Sequence, residues 1–152
     1  MNYEVLLKES DSLGLTTKEK PLKYNDGRIK GKRVAIRKDI KTTTEKACVL
    51  AEELGHYHTT YGNILCQSSV SDRKQELHAR AWAYDRMIGL IGLINAYKHG
   101  CYSPIDVADY LNVTEEFLSE ALRYYKGKYG ICATVDNYAI YFEPSLGIFN
   151  LV

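Results

Sequence analysis

The chain has 152 residues, 45% of them apolar and 26% charged, with a formal net charge of +1. That length and balance fit one globular domain, or one domain with a small appended element, able to bury a core without disulfide support. No apolar run is long enough to cross a bilayer as a helix, which excludes a membrane-spanning reading of that kind.

The opening residues Met1-Asn2-Tyr3-Glu4-Val5 lack the charged-then-apolar layout of a signal peptide, so a cytoplasmic location is the expectation. Residues 2–13 read as a short helix with Val5, Leu6 and Leu13 on one side. Lys18 to Lys23 is polar, contains Pro21 and reads as a loop. Asn25-Asp26-Gly27 signals a turn between two extended runs. The second run, Arg33 to Arg37, alternates charged and apolar residues as a half-buried strand does. Together these predict a small antiparallel sheet. Residues 1–46 hold twelve Lys or Arg against seven Asp or Glu, and residues 47–152 hold eight against twelve. The basic first third fits a solvated strand-and-loop face before it fits an acidic partner.

Thr42 and Glu45 have capping-box spacing, which predicts a helix from there to about His58, stopped by Gly62. Ser68 to Asp72 is a polar break. A long helix follows from about Arg73 to Tyr97, with Leu77, Ala81, Tyr84, Ile88 and Ile91 at helical spacing. Ser103-Pro104 opens another helix, Leu111-Asn112-Val113-Thr114 makes a tight turn, and a last helix runs to about Tyr125 before Lys126-Gly127-Lys128-Tyr129-Gly130 breaks it. Tyr138 to Val152 supplies one or two short strands. The cysteines Cys48, Cys66, Cys101 and Cys132 form no C-x-x-C pair, so a cysteine zinc site is not expected and the thiols are read as free.

Within the first long helix, Glu52 and His56 are four residues apart and share one face. Two such side chains can hold one metal ion. Glu53 lies roughly 100° further round, given 3.6 residues per turn, beside the open position of such an ion, where it can take a proton from water. A zinc peptidase needs two helical ligands and a base in this arrangement. Gly55 costs about 1 kcal/mol against Ala inside a helix, and a close approach by another helix would explain it. Glu76 on the second helix is the natural third ligand, with His78 as the fallback. Spacing alone leaves an exposed side-chain pair as the commoner meaning of E-x-x-x-H.

Two motifs sharpen this. Ala47-Cys48-Val49-Leu50-Ala51-Glu52-Glu53-Leu54-Gly55-His56 resembles the H-E-L-G-H helix of the ImmA/IrrE metallopeptidases. Glu76-x-x-Ala79-Arg80-x-Trp82-Ala83 is similar to that family's second-helix pattern, E-x-x-A-N-x-F-A, and the run from Gly27 through Ile36 resembles its short sheet. The resemblance covers residues 2–98. It implies an α+β fold: a compact zincin-like domain with a small antiparallel sheet, an active-site helix, a long second helix and a C-terminal helical pair. A core at 1–98 would carry a C-terminal helical pair and short strands at 99–152. It implies metal ligands at Glu52, His56 and Glu76, a general base at Glu53, and zinc as the metal. Family members are often encoded by phages and integrative elements and are associated with cleaving a cognate helix-turn-helix repressor, so that repressor is the implied protein partner.

This chain departs from the pattern twice. Glu52 stands where the family has its first His, and Arg80 where it has Asn. Two carboxylates and one neutral imidazole bring a divalent zinc to zero net charge, against +1 with two imidazoles and one carboxylate. Water is then acidified less, and manganese becomes a second candidate metal. Two functions therefore stay open: a metal-dependent endopeptidase, or a non-catalytic protein-binding module on a decayed peptidase scaffold. Arg80 is one turn from Glu76 and is expected to pair with it or with another site carboxylate. The strand near Val34 and Ile36 is a candidate for pairing with extended substrate. His58 is read as a surface or supporting residue and Trp82 as packing on the active helix. The stretch from Ile105 to Thr114 resembles the first half of a helix-turn-helix. However, Glu115, Glu116 and Glu120 on the next helix would repel phosphate, so a packing unit or protein surface is expected there and direct nucleic-acid binding is not.

Overall fold

The structure is a computed structural model that describes residues 1–60 and 69–152. Helix α1 spans Tyr3–Ser12, and Asn2 caps it by accepting the Val5 N–H at 2.9 Å. Three strands follow: β1 (Thr16–Lys20), β2 (Gly27–Lys30) and β3 (Arg33–Arg37). Then come α2 (Thr43–Thr59), α3 (Ser69–Met87), α4 (Gly89–Lys98), α5 (Pro104–Leu111) and α6 (Glu115–Tyr129), and finally β4 (Cys132–Val135), β5 (Tyr138–Tyr141) and β6 (Gly147–Asn150). The fold is α+β, as the sequence implied. It divides into two compact units, Met1–Ala83 and Tyr84–Val152.

In the first unit the strand order is β1-β3-β2, with β1 parallel and β2 antiparallel to β3. The expected antiparallel sheet is therefore mixed, and the expected loop from Lys18 begins as strand. Polarity hid β1 because neither of its faces needs apolar residues. Lys18 and Lys20 face solvent. On the other side Thr17 meets the fully buried Ser10 hydroxyl at 2.6 Å, and Glu19 takes Lys46 of α2 at 2.7 Å. The β2–β3 hairpin turns at Gly31-Lys32, where Gly31 has φ +61°, a left-handed value suited to glycine. Asn25-Asp26 instead leads from β1 into β2. As the central strand, β3 has both edges paired, whereas β1 and β2 are edge strands among the described residues. Leu6, Val34, Ile36, Leu50, Ala51 and Leu54 form the core between this sheet and the helices α1 and α2.

The expected helix Arg73–Tyr97 begins earlier, at Ser69, and is broken at Ile88–Gly89, where Gly89 takes φ +63°. Its buried stripe includes Ala79, Ala83, Tyr84 and Met87, while Leu77 and Ile91 are more than half exposed. In the second unit the Tyr125 hydroxyl donates to Asp85 Oδ1 at 3.0 Å and accepts the Gly89 N–H at 3.2 Å, which fixes that break. Ser103 caps α5 and Thr114 caps α6, each through its side-chain oxygen. Helix α6 runs through Lys126-Gly127 and stops at Gly130, whose φ is +83°. Strands β4, β5 and β6 form a second, antiparallel sheet in that order. Cys101 and Cys132 are free thiols and Cys48 is buried, while Cys66 and the stop expected at Gly62 lie outside the described residues. No helix among the described residues is long and apolar enough to cross a membrane.

Candidate functional site

Helix α2 is held from both ends and both sides. Thr42 Oγ1 accepts the Glu45 N–H at 3.1 Å and opens the helix where the sequence placed it. At the far end the His56 carbonyl accepts the Thr60 N–H at 3.0 Å and also the Thr60 hydroxyl. Gly55 meets α3 as the sequence anticipated: a Cβ there would lie 2.2 Å from the Ala79 carbonyl oxygen. Only glycine allows the two helix backbones to come this close. On the opposite side, a Cβ on Gly27 of β2 would lie 2.6 Å from Val49 Cγ1 and 3.0 Å from Glu53 Oε1.

That approach sets α3 side chains against α2. His56 Nε2 lies 3.3 Å from Glu76 Oε1, and Arg80 Nε lies 3.9 Å from Glu76 Oε2. Two donors bound about 2.0–2.1 Å from one tetrahedral zinc sit roughly 3.3–3.4 Å apart. The His56–Glu76 pair thus already has the separation of two ligands on one ion. Arg80 takes the other Glu76 oxygen, one helical turn on. Both residues are about half exposed, so this contact is weak in itself.

Glu53 is 9% exposed. Burial, then the Glu52 charge, then the Glu76 charge push its pKa from 4.5 up to about 7. Two neighbouring carboxylates thus act on the buried one, and a divalent cation is the charge that would relieve it. Glu52 itself is half-buried, one turn before His56 on α2. Among the described residues no group of three or more His, Cys, Asp and Glu is set to hold an ion as the side chains stand. His56 and Glu76 are brought together, and Glu52 is not shown joining them. The donor chemistry, one imidazole nitrogen with carboxylate oxygens, suits zinc or manganese.

His78 is exposed on α3. His58 stacks on Trp82 with ring centroids 4.6 Å apart and planes at 22°, so Trp82 packs on α2 through His58. Sequence reasoning missed Gly27. It read that residue as part of a turn, whereas its missing side chain makes room for Val49 and Glu53.

The family model Peptidase_M78, described as the IrrE N-terminal-like domain, matches residues 10–123. Neither the curated proteins nor the solved structures give a match.

Proposed function

The chain belongs to the Peptidase_M78 family of IrrE N-terminal-like domains, and on that premise we propose that it is a metal-dependent endopeptidase with a specific protein substrate. That substrate we take to be a cognate helix-turn-helix repressor encoded by the same phage or mobile element. The observation that carries the reading is the His56–Glu76 contact between two helices, beside the buried Glu53. In this reading Glu52, His56 and Glu76 hold the metal, zinc first and manganese second. A divalent ion there would supply Lewis-acid polarisation of the scissile carbonyl and of water. Glu53 takes the proton at its carboxylate and returns it to the leaving amine, a task suited to a carboxyl that titrates near neutrality. The free edge of β2, whose Gly27 lies against Glu53, is where an extended substrate would pair. Gly55 lets α3 bring Glu76 within reach of His56.

A second reading, a protein-binding module without catalysis, is favoured by Glu52 in the place of the family's His and by Arg80 on Glu76. One experiment separates the two. Parent, Glu53→Gln and Glu52→His proteins are incubated with the repressor encoded beside the gene, with zinc and then with manganese, and fragments are read by mass spectrometry. Glu53→Gln should bind the partner and the metal but not cut, since Gln cannot accept the proton. Glu52→His should cut faster with zinc. Equal binding by all three with no fragment from any of them would replace the peptidase by the binding module.

A further inference from the structure

The β1–β3–β2 sheet sorts its charges by face. Strand alternation puts Lys18 and Lys20 of β1, Arg33 of β3, and Arg28 and Lys30 of β2 on the side turned away from α1 and α2, around one concavity. All five are exposed. Lys30 stands directly opposite Arg33 in the ladder, a like-charge pairing that is unfavourable for a sheet on its own. Among the described residues none of the five has an ion-pair partner. Arg37, at the rim, is held by Asp26 and Asp39, both at 2.8 Å. The one acid of β1, Glu19, faces the other way and is taken by Lys46.

The remaining lining narrows what this face suits. Leu22 and Ala35 add aliphatic surface between the cations, and among the described residues no aromatic ring lines the concavity. Nucleic-acid bases therefore have no stacking platform, and a three-stranded sheet is broader than the two-stranded ribbon a major groove admits. The cation spacing is that of a strand: about 6.6–6.8 Å between alternate residues and about 4.8 Å between neighbouring strands. Alternate side chains of another extended peptide have the same repeat.

We propose that this face docks an acidic, extended segment of the protein substrate. Asp or Glu at alternate positions would meet Lys18, Lys20, Arg28, Lys30 and Arg33, with small aliphatic residues against Leu22 and Ala35. The proposal rests on the reading that the chain acts on a protein, and not on whether it cuts that protein. Strand β2 contributes to both faces of the sheet: Arg28 and Lys30 lie on this one, and Gly27, on the other, lies against Glu53.

The test is fluorescence anisotropy on the whole chain without metal, so that cleavage plays no part. The probes are a labelled peptide of alternating glutamate and alanine, its glutamine counterpart, and an oligothymidylate of equal charge. The glutamate peptide should bind and should weaken about tenfold or more as salt rises, since exposed charges are screened. The glutamine peptide should not bind. Lys30→Gln with Arg33→Gln should weaken the glutamate peptide about tenfold. Lys38→Gln with Lys41→Gln, off the face, should leave it unchanged, with circular dichroism showing both variants folded. If the first pair fails to fold, Lys18→Gln with Arg28→Gln replaces it. Equal binding of the glutamate and glutamine peptides, or tighter binding of the oligothymidylate, overturns the proposal. Failure of the peptidase reading shows separately, as peptide binding without fragments in the cleavage experiment.

Discussion

The two units treat a buried polar side chain in opposite ways. In residues 84–152, Tyr125 is fully buried, but its hydroxyl has both an acceptor in Asp85 and a donor in Gly89. Burial, then the Asp85 charge, hold its ionisation far above the ordinary phenol value. It is a pin that fixes the bend between α3 and α4. In residues 1–83, Glu53 is buried beside two further carboxylates, and each shift acting on it opposes its charge. A satisfied group of this kind locks a fold. A crowded carboxyl of this kind is unfavourable to the fold, and such groups cluster at functional sites.

The strongest way to break this contrast is to move the helices that create the crowding. Gly55→Ala is expected to destabilise by more than about 3 kcal/mol, because the new methyl group would sit on the Ala79 carbonyl oxygen and neither backbone can yield cheaply. Gly127→Ala in α6 makes the control, since nothing lies within 4 Å of a Cβ there. It should stabilise by up to about 1 kcal/mol through helix propensity. Urea unfolding of both reads the difference. A neutral Gly55→Ala would mean the close approach is not required.

The next largest effect follows from Glu53. Its pKa is about 7 in the folded chain against an ordinary 4.5. Between those values the folded state holds more protons than the unfolded state. The stability of metal-free protein should therefore fall as pH rises from about 4.5 to about 7, by up to about 3 kcal/mol. Glu53→Gln should flatten that slope and be the more stable protein at pH 8. Thermal melts with chelator across this range check it, and parallel curves for parent and variant would remove Glu53 as the cause.

What the sequence revealed of these features depended on how local their causes are. The Thr42 cap and the need for glycine at position 55 are legible because the first is settled within three residues and the second shows as an otherwise costly helix glycine. The candidate site residues come from two separate motifs, and the structure adds that His56 and Glu76 meet. Strand β1 was not legible, since its Thr17 and Glu19 are satisfied by polar partners on flanking helices, Ser10 and Lys46, rather than by an apolar face. The break at Gly89 looked like continuous apolar helix because its cause, Tyr125, lies 36 residues away. Gly27 hid for the same reason: Val49 and Glu53 make its role visible only after folding.

A smaller effect tests the satisfied group. Tyr125→Phe keeps the ring among Tyr129 and Phe142 but takes away the acceptor for the Gly89 N–H and the donor to Asp85. The expected loss is about 1–2 kcal/mol, with faster hydrogen exchange at Gly89. Because Asp85 is exposed, water can replace its lost partner, which keeps the cost low. Unchanged exchange at Gly89 would show that the bend is set by something other than this hydroxyl.

The smallest expected change is the one that chelation makes to the helix signal. The side chains that hold the first unit together, Leu6, Ile36, Leu50 and Leu54, are fully buried and owe nothing to a metal. The His56 side chain is 22% exposed and that of Glu76 53%, which places the donors at the margin of that core. A chain of this size buries enough apolar surface to fold alone, unlike small domains in which metal binding is the folding free energy. Far-UV circular dichroism at room temperature should therefore be the same with zinc and with chelator, while the midpoint of thermal unfolding rises with zinc concentration as it does for any ligand of the native state. If helix signal disappears on chelation, the metal is structural, and the crowded carboxylates would then be part of what holds α2 and α3 together rather than a site poised for catalysis.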